Sequence, residues 1–196
     1  MYTRRSFLAM AAAAPLVSPM ARAANARAGW ARRPSPNLLP NVLLQTHEGR
    51  DVHFYNDLVK GRLVVLNMMY ANCANICPPN TASLMRVQEA LGGRVGRDVF
   101  MYSLTLQPAI DKPADLRRYM DKYGVGSGWT FLTGEPRNVE LLRLRLGFYN
   151  VDPVADADLK QHTGMVRIGH EGRDRWSMVP AQAPTAQIVT SIREYL

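Results

Sequence analysis

A chain of 196 residues, 47% hydrophobic and 20% charged, has room for one domain plus a leader and enough apolar residues to bury a core. Its net charge of +8 is scattered; without the first 23 residues, 21 Lys and Arg stand against 16 Asp and Glu, a net of +5. That balance, with no nucleic-acid-binding motif beside it, describes a solvated surface with at most weak membrane association and excludes a nucleic-acid footprint.

The chain opens with Thr3-Arg4-Arg5-Ser6-Phe7-Leu8, runs through an apolar stretch from Phe7 to Val17 broken by Pro15, and reaches the small-x-small pattern Ala21-Arg22-Ala23. A charged segment, an apolar segment and a cleavage pattern in that order predict an export leader over residues 1–23. The paired arginines resemble a bacterial twin-arginine signal. The apolar run falls short of the roughly 20 residues that span a bilayer. Ala24-Asn25-Ala26 offers a second cut. Residues 24–39, with Arg27, Arg32, Arg33 and several prolines, predict a flexible linker. The expected location is the periplasm, an oxidising compartment where a cysteine pair can form a disulfide.

Residues 40–196 carry the folded part. Asn41–Thr46 and Asp51–Tyr55 flank His47-Glu48-Gly49-Arg50 and predict a hairpin, followed by a turn or short helical piece over Asn56–Gly61. Arg62–Tyr70 is a nearly continuous apolar run, the pattern of a central strand buried on both faces. After the loop Ala71–Cys77, a helix is expected from Pro79 to Leu91, with Leu84, Val87 and Leu91 on one face and Gly92-Gly93 as its stop. A second buried strand follows at Val99–Leu106, a helix at Pro113–Tyr123, a short strand at Trp129–Leu132 and a helix at Pro136–Leu146. His162–Ile168 and Arg175–Val179 form a second hairpin around His170-Glu171-Gly172, and Ala186–Tyr195 closes the chain as a helix. Strands alternating with helices predict an α/β fold with a partly parallel sheet. A cysteine motif between the first central strand and its helix resembles a thioredoxin-like fold, here with an N-terminal β-hairpin and a β-hairpin insertion near the C-terminus.

The two cysteines of the chain lie in Cys73-Ala74-Asn75-Ile76-Cys77-Pro78. Three readings of this C-x-x-x-C stand side by side. As a staple it closes so short a loop that the unfolded chain is little constrained. As a redox pair at a helix N-terminus it gains a stabilised thiolate, although thioredoxin-type oxidoreductases use two intervening residues. As a metal site it offers two soft sulfurs about one helical turn apart, suited to Cu(I) or to zinc, and needs a third ligand from elsewhere. Of the four histidines, His47 and His170 adjoin turn glycines and read as exposed turn residues, and His53 lies within a strand. His162, in Gln161-His162-Thr163, stands where a long loop enters a strand, and in thioredoxin-like folds that loop faces the active-site loop.

These pieces resemble the Sco (SenC/PrrC) family of copper-binding proteins over roughly residues 40 to 195. The first hairpin, the strand and loop from Leu63 to Cys77-Pro78, the strand at Asp98–Ser103 and Gln161-His162-Thr163 carry the resemblance. It implies one copper, Cu(I) or Cu(II), held by Cys73, Cys77 and His162. It also implies delivery to the copper-bearing subunit of cytochrome c oxidase, or to another periplasmic copper or thiol protein, and dithiol redox at Cys73 and Cys77. On this reading the protein binds and hands over metal and is not a turnover enzyme. The alternative is a thiol-disulfide oxidoreductase or thiol peroxidase. Two departures stand out: Gln107 in Thr105-Leu106-Gln107-Pro108, and Gln161 before the histidine, occupy positions where the family usually carries a carboxylate. Met68, Met69 and Met165 read as core rather than ligands, Tyr70 as packing, and Asn72 and Asn75 as residues that shape the loop. No phosphate loop, G-x-S-x-G or H-E-x-x-H is present.

Overall fold

The computed structural model describes residues 39–159 and 164–196. Its strands are β1 (Leu43–Thr46), β2 (Asp51–His53), β3 (Leu63–Met69), β4 (Val99–Thr105), β5 (Trp129–Gly134), β6 (Met165–His170) and β7 (Arg175–Pro180). Its helices are α1 (Cys77–Leu91), α2 (Pro113–Tyr123), α3 (Pro136–Arg145), α4 (Pro153–Ala157) and α5 (Thr185–Arg193). The strands form one sheet in the order β2-β1-β5-β4-β3-β6-β7. The centre is parallel: Leu63 faces Val99 and Met69 faces Thr105 along β3 and β4, and β5 continues on the far side of β4. Both flanks are antiparallel hairpins, β1–β2 joined to β5 and β6–β7 joined to β3. The expected α/β layout, with its N-terminal and C-terminal hairpins, is what the chain adopts.

Strand alternation sorts the core into two layers. Leu63, Val65 and Met69 of β3 join Val99 and Met101 of β4 and Phe131 of β5 under α1, α2 and α5. Val64, Leu66 and Met68 join Tyr102, Leu104 and Leu132 on the other face, under Phe54, Leu58, Val139 and Leu142. All seven β3 residues are buried, which is why that run shows no alternation in sequence. The one polar residue among them, Asn67, accepts the Ser103 hydroxyl at 2.6 Å, and Ser103 Oγ accepts the Trp129 indole N–H at 2.9 Å. A buried polar chain of this kind is tolerated because its members bond one another.

Three local outcomes differ from the sequence pattern. β2 stops at His53, and Phe54–Val59 form a short π-helical segment instead of continuing the strand. Phe54 and Leu58, four apart on one helical face, both reach the core, and the Asp57 carboxylate accepts the His53 N–H at 2.6 Å. α1 begins at Cys77, two residues before the expected start. α4 was not anticipated; Asp152 caps it by accepting the Val154 N–H, and Pro153 opens it.

His47 is not a solvated turn residue. Its Nδ1 accepts the Phe131 N–H at 3.2 Å while its own N–H donates to the Phe131 carbonyl at 2.8 Å. Burial, and then the nearby Arg117 charge, hold its pKa below the ordinary imidazole value. The unfolded chain therefore takes up a proton that the folded chain refuses. The stability that neutral His47 contributes is present above pH 6.5 and is lost as pH falls through the lowered pKa. Urea midpoints at about pH 7.5 and about pH 5 should diverge less in His47→Gln than in the parent. An unchanged difference would show that this ring does not set the acid limb.

Candidate metal centre

The centre forms where the apolar run of β3 gives out. β3 ends at Met69 and α1 starts at Cys77, so residues 70–76 bridge the top of the sheet. Cys73 lies in this loop, where its N–H donates to the Tyr70 carbonyl at 3.2 Å, and Cys77 is the first residue of α1. Both are buried, 6% and 2% exposed, and both are thiols with no disulfide between them.

The helix start explains how the two cysteines are coupled. A helix leaves its first N–H groups without internal partners. In α1, Pro78 and Pro79 have no N–H to leave, and Ile76 makes no side-chain cap. Asn80 N–H bonds the Ile76 carbonyl at 3.3 Å. The N–H of Cys77 goes to Cys73 Sγ at 3.2 Å. The sulfur thus takes the place of a capping oxygen and sits at the positive end of the helix dipole.

The thiols are unequal. Burial pushes the Cys73 pKa up, but hydrogen bonds from the Cys77 thiol, the Cys77 N–H, the Tyr70 hydroxyl and the Asn75 backbone outweigh it, and the net shift is down. Burial, reinforced by its bond to Cys73, pushes Cys77 well above the ordinary thiol range. The pair therefore ionises first at Cys73, with Cys77 as donor. Tyr70, read from sequence as packing, donates its hydroxyl to Cys73; that bond and then burial push the phenol up to about 12. Met69 is buried in the core layer beneath the cysteines and Met68 in the opposite one.

Asp111, in the loop between β4 and α2, is 1% exposed. One of its oxygens, Oδ2, accepts both the Ala71 N–H at 3.0 Å and the Thr105 hydroxyl at 2.5 Å. Its carbonyl accepts the Thr133 hydroxyl at 2.8 Å. Position 107, where the resemblance implies a carboxylate, holds glutamine; position 111 brings a carboxylate to the start of the cysteine loop. A small cavity of about 180 Å³ lies beside it, lined by Ala71, Asn72, Asp111, Arg118 and Lys122. Another cavity, about 490 Å³, opens under Met68, Leu106 and Phe148 on the opposite sheet face.

His162 and Gln161 lie outside the described residues. Gly164, where the chain resumes, packs against the start of α1: a Cβ there would come within 3.2 Å of Asn80 Nδ2 and 3.7 Å of Ile76 Cγ2. The Gly164 carbonyl accepts the Ala181 N–H at 2.7 Å. The chain two residues after His162 is thus fixed at the helix end that bears Cys77. Among the described residues, no group of three or more His, Cys, Asp and Glu side chains is placed to hold a metal. Two soft sulfurs suit Cu(I) and need a further ligand from outside that set.

Comparison with known proteins places this arrangement. A sequence model of the family described as SCO1/SenC matches residues 37–196. The SCO1 protein homolog of Bacillus subtilis is 32% identical over 91 residues, a match spanning 46% of this chain and 46% of that protein. The structure of Bradyrhizobium japonicum ScoI with copper bound superposes with a TM-score of 0.63 at 20% identity, over 79% of this chain and 96% of that one. BsSco, described with a disulfide switch and as a member of the Sco family of cytochrome c oxidase assembly proteins, superposes with a TM-score of 0.63 at 23% identity, over 80% and 91% of the two chains. The thioredoxin-like fold expected from the order of elements is the fold of these structures.

Proposed function

The chain belongs to the SCO1/SenC family, and from that membership we propose that it binds one copper ion per chain through Cys73 and Cys77 as thiolates and His162 as a neutral imidazole. The observation that carries this reading is the buried, coupled pair of thiols at the start of α1. It presents two soft donors, one of them, Cys73, with its pKa lowered, and Gly164, two positions after His162 in the sequence, packs against the same helix end. Thiolates favour Cu(I) and imidazole accommodates Cu(II), so either state can be carried. Copper is the cargo. Its destination in this reading is the copper-bearing subunit of cytochrome c oxidase or another periplasmic copper or thiol protein. Residues 1–23 direct export, and 24–39 tether the folded part. Among the described residues no helix is long and apolar enough to cross a membrane.

Copper titrated into the reduced protein should saturate at a single equivalent and, as Cu(II), give a sulfur-to-copper charge-transfer band in the visible. His162→Ala should weaken binding and shift that band. Copper bound equally well by the variant would remove residue 162 from the ligand set. The unequal thiols also favour a second reading, a dithiol that exchanges with disulfides, Cys73 attacking and Cys77 resolving. That activity would survive His162→Ala intact.

A further inference from the structure

Asp111 is buried, and burying a polar carboxyl group is costly unless its oxygens are bonded. Oδ2 accepts the N–H of Ala71, the second residue of the cysteine loop, and the hydroxyl of Thr105, the last residue of β4. The Asp111 N–H donates to the Gln107 carbonyl at 2.8 Å, and its carbonyl is held by Thr133 of β5. The Thr105 hydroxyl oxygen also receives the Gln107 N–H at 3.0 Å. The Asp111 backbone is thereby held from β5 and from its own loop, while its carboxylate ties the end of β4 to the cysteine loop. The other end of that loop is held by the Cys77 N–H on Cys73 Sγ. Between these two fixed points, Ala71 and Cys77, only five residues intervene, and Cys73 is among them.

We propose that Asp111 is the positioning residue of the cysteine loop: its Oδ2 fixes the Ala71 N–H to the end of β4 and so presets where the Cys73 sulfur stands relative to Cys77. This rests on the reading of Cys73 and Cys77 as copper ligands for its effect on metal, but not for its effect on the thiol itself. Without the clamp the loop start loses a side-chain anchor, the Cys73 sulfur wanders from the Cys77 N–H, and both thiol reactivity and metal affinity change. The acceptor geometry is what matters, not the negative charge. An asparagine oxygen has two lone pairs and can take the same two donors.

The test compares the full chain with Asp111→Ala, Asp111→Asn and Thr105→Val. Two quantities are measured: Cu(I) affinity by chelator competition, and the rate at which iodoacetamide alkylates Cys73 in the reduced, metal-free protein. Asp111→Ala should lose about 10–100-fold in copper affinity, the range seen when a partner that orients a ligand is removed, and its alkylation rate should depart from that of the parent. Asp111→Asn should recover most of both. Thr105→Val, which removes one side of the clamp at nearly constant volume, should show a partial loss in both and decides the matter if Asp111→Ala does not fold. Parental affinity and rate in Asp111→Ala, or in a folded Thr105→Val standing in for it, overturn the proposal. So does an Asp111→Asn variant no better than Asp111→Ala. If the parent itself takes up no copper, the proposed function fails and the alkylation rates alone judge Asp111.

Discussion

Cys73→Ser should eliminate tight Cu(I) binding and leave the fold standing. The affinity loss should exceed the roughly 100-fold upper range that outer partners of a ligand cost, because a hard, protonated hydroxyl replaces a soft thiolate in a site with few donors. The fold is spared for a local reason. Serine oxygen is a better acceptor than sulfur and can still take the Cys77 N–H, so the start of α1 keeps its cap. Melting of the metal-free variant should stay close to the parent, since a single hydrogen bond contributes only about 0.5–1.5 kcal/mol net. Competition against a Cu(I) chelator separates the two effects. A variant that competes as well as the parent would show that Cys73 is not a ligand, whatever its pKa.

The largest stability loss is expected at Phe131, in the same core layer as the two cysteines. It is fully buried in β5, with its ring 5.4 Å from Trp129 and 5.8 Å from Tyr119. Tyr119 in turn pairs its hydroxyl with Thr81 of α1 at 2.7 Å, so this cluster joins the sheet to both α2 and the cysteine-bearing helix. Phe131→Ala removes the ring that α2 rests on. Large-to-small changes of this kind cost about 3–5 kcal/mol, which for a domain of this size lowers Tm by roughly 6–20 °C. Calorimetry of the metal-free protein reads it directly. A shift under about 3 °C would mean that Tyr119 and Trp129 collapse into the space and that the layer is softer than its burial implies.

The central strands, the two hairpins and the helices under them were legible because their patterns are local. β3 reads as an unbroken apolar run, and α2 and α3 each begin at a proline that suits the first helical turn. The spacing of Cys73 and Cys77 was legible too. That Cys73 sulfur caps α1 was not read, although Pro78 and Pro79 announce it by withdrawing two donors from the helix start. α4 had a signal in Asp152-Pro153, a capping residue followed by the favoured first position. Asp111 had none. It stands 40 residues after Ala71 in a polar loop, and only the parallel pairing of β3 with β4 brings the two together. His47 was misread because a residue beside a turn glycine is usually solvated; here β1 lies against β5, and Phe131 takes up both polar groups of the ring and backbone.

The borders of the sheet carry one more consequence. β2, at one border, is three residues long, and β7, at the other, begins with Arg175 and finishes on Pro180, which has no N–H to offer. A second chain seeking to extend the sheet by strand addition finds little template on either side. Fibre-like growth by edge-to-edge pairing is thereby discouraged.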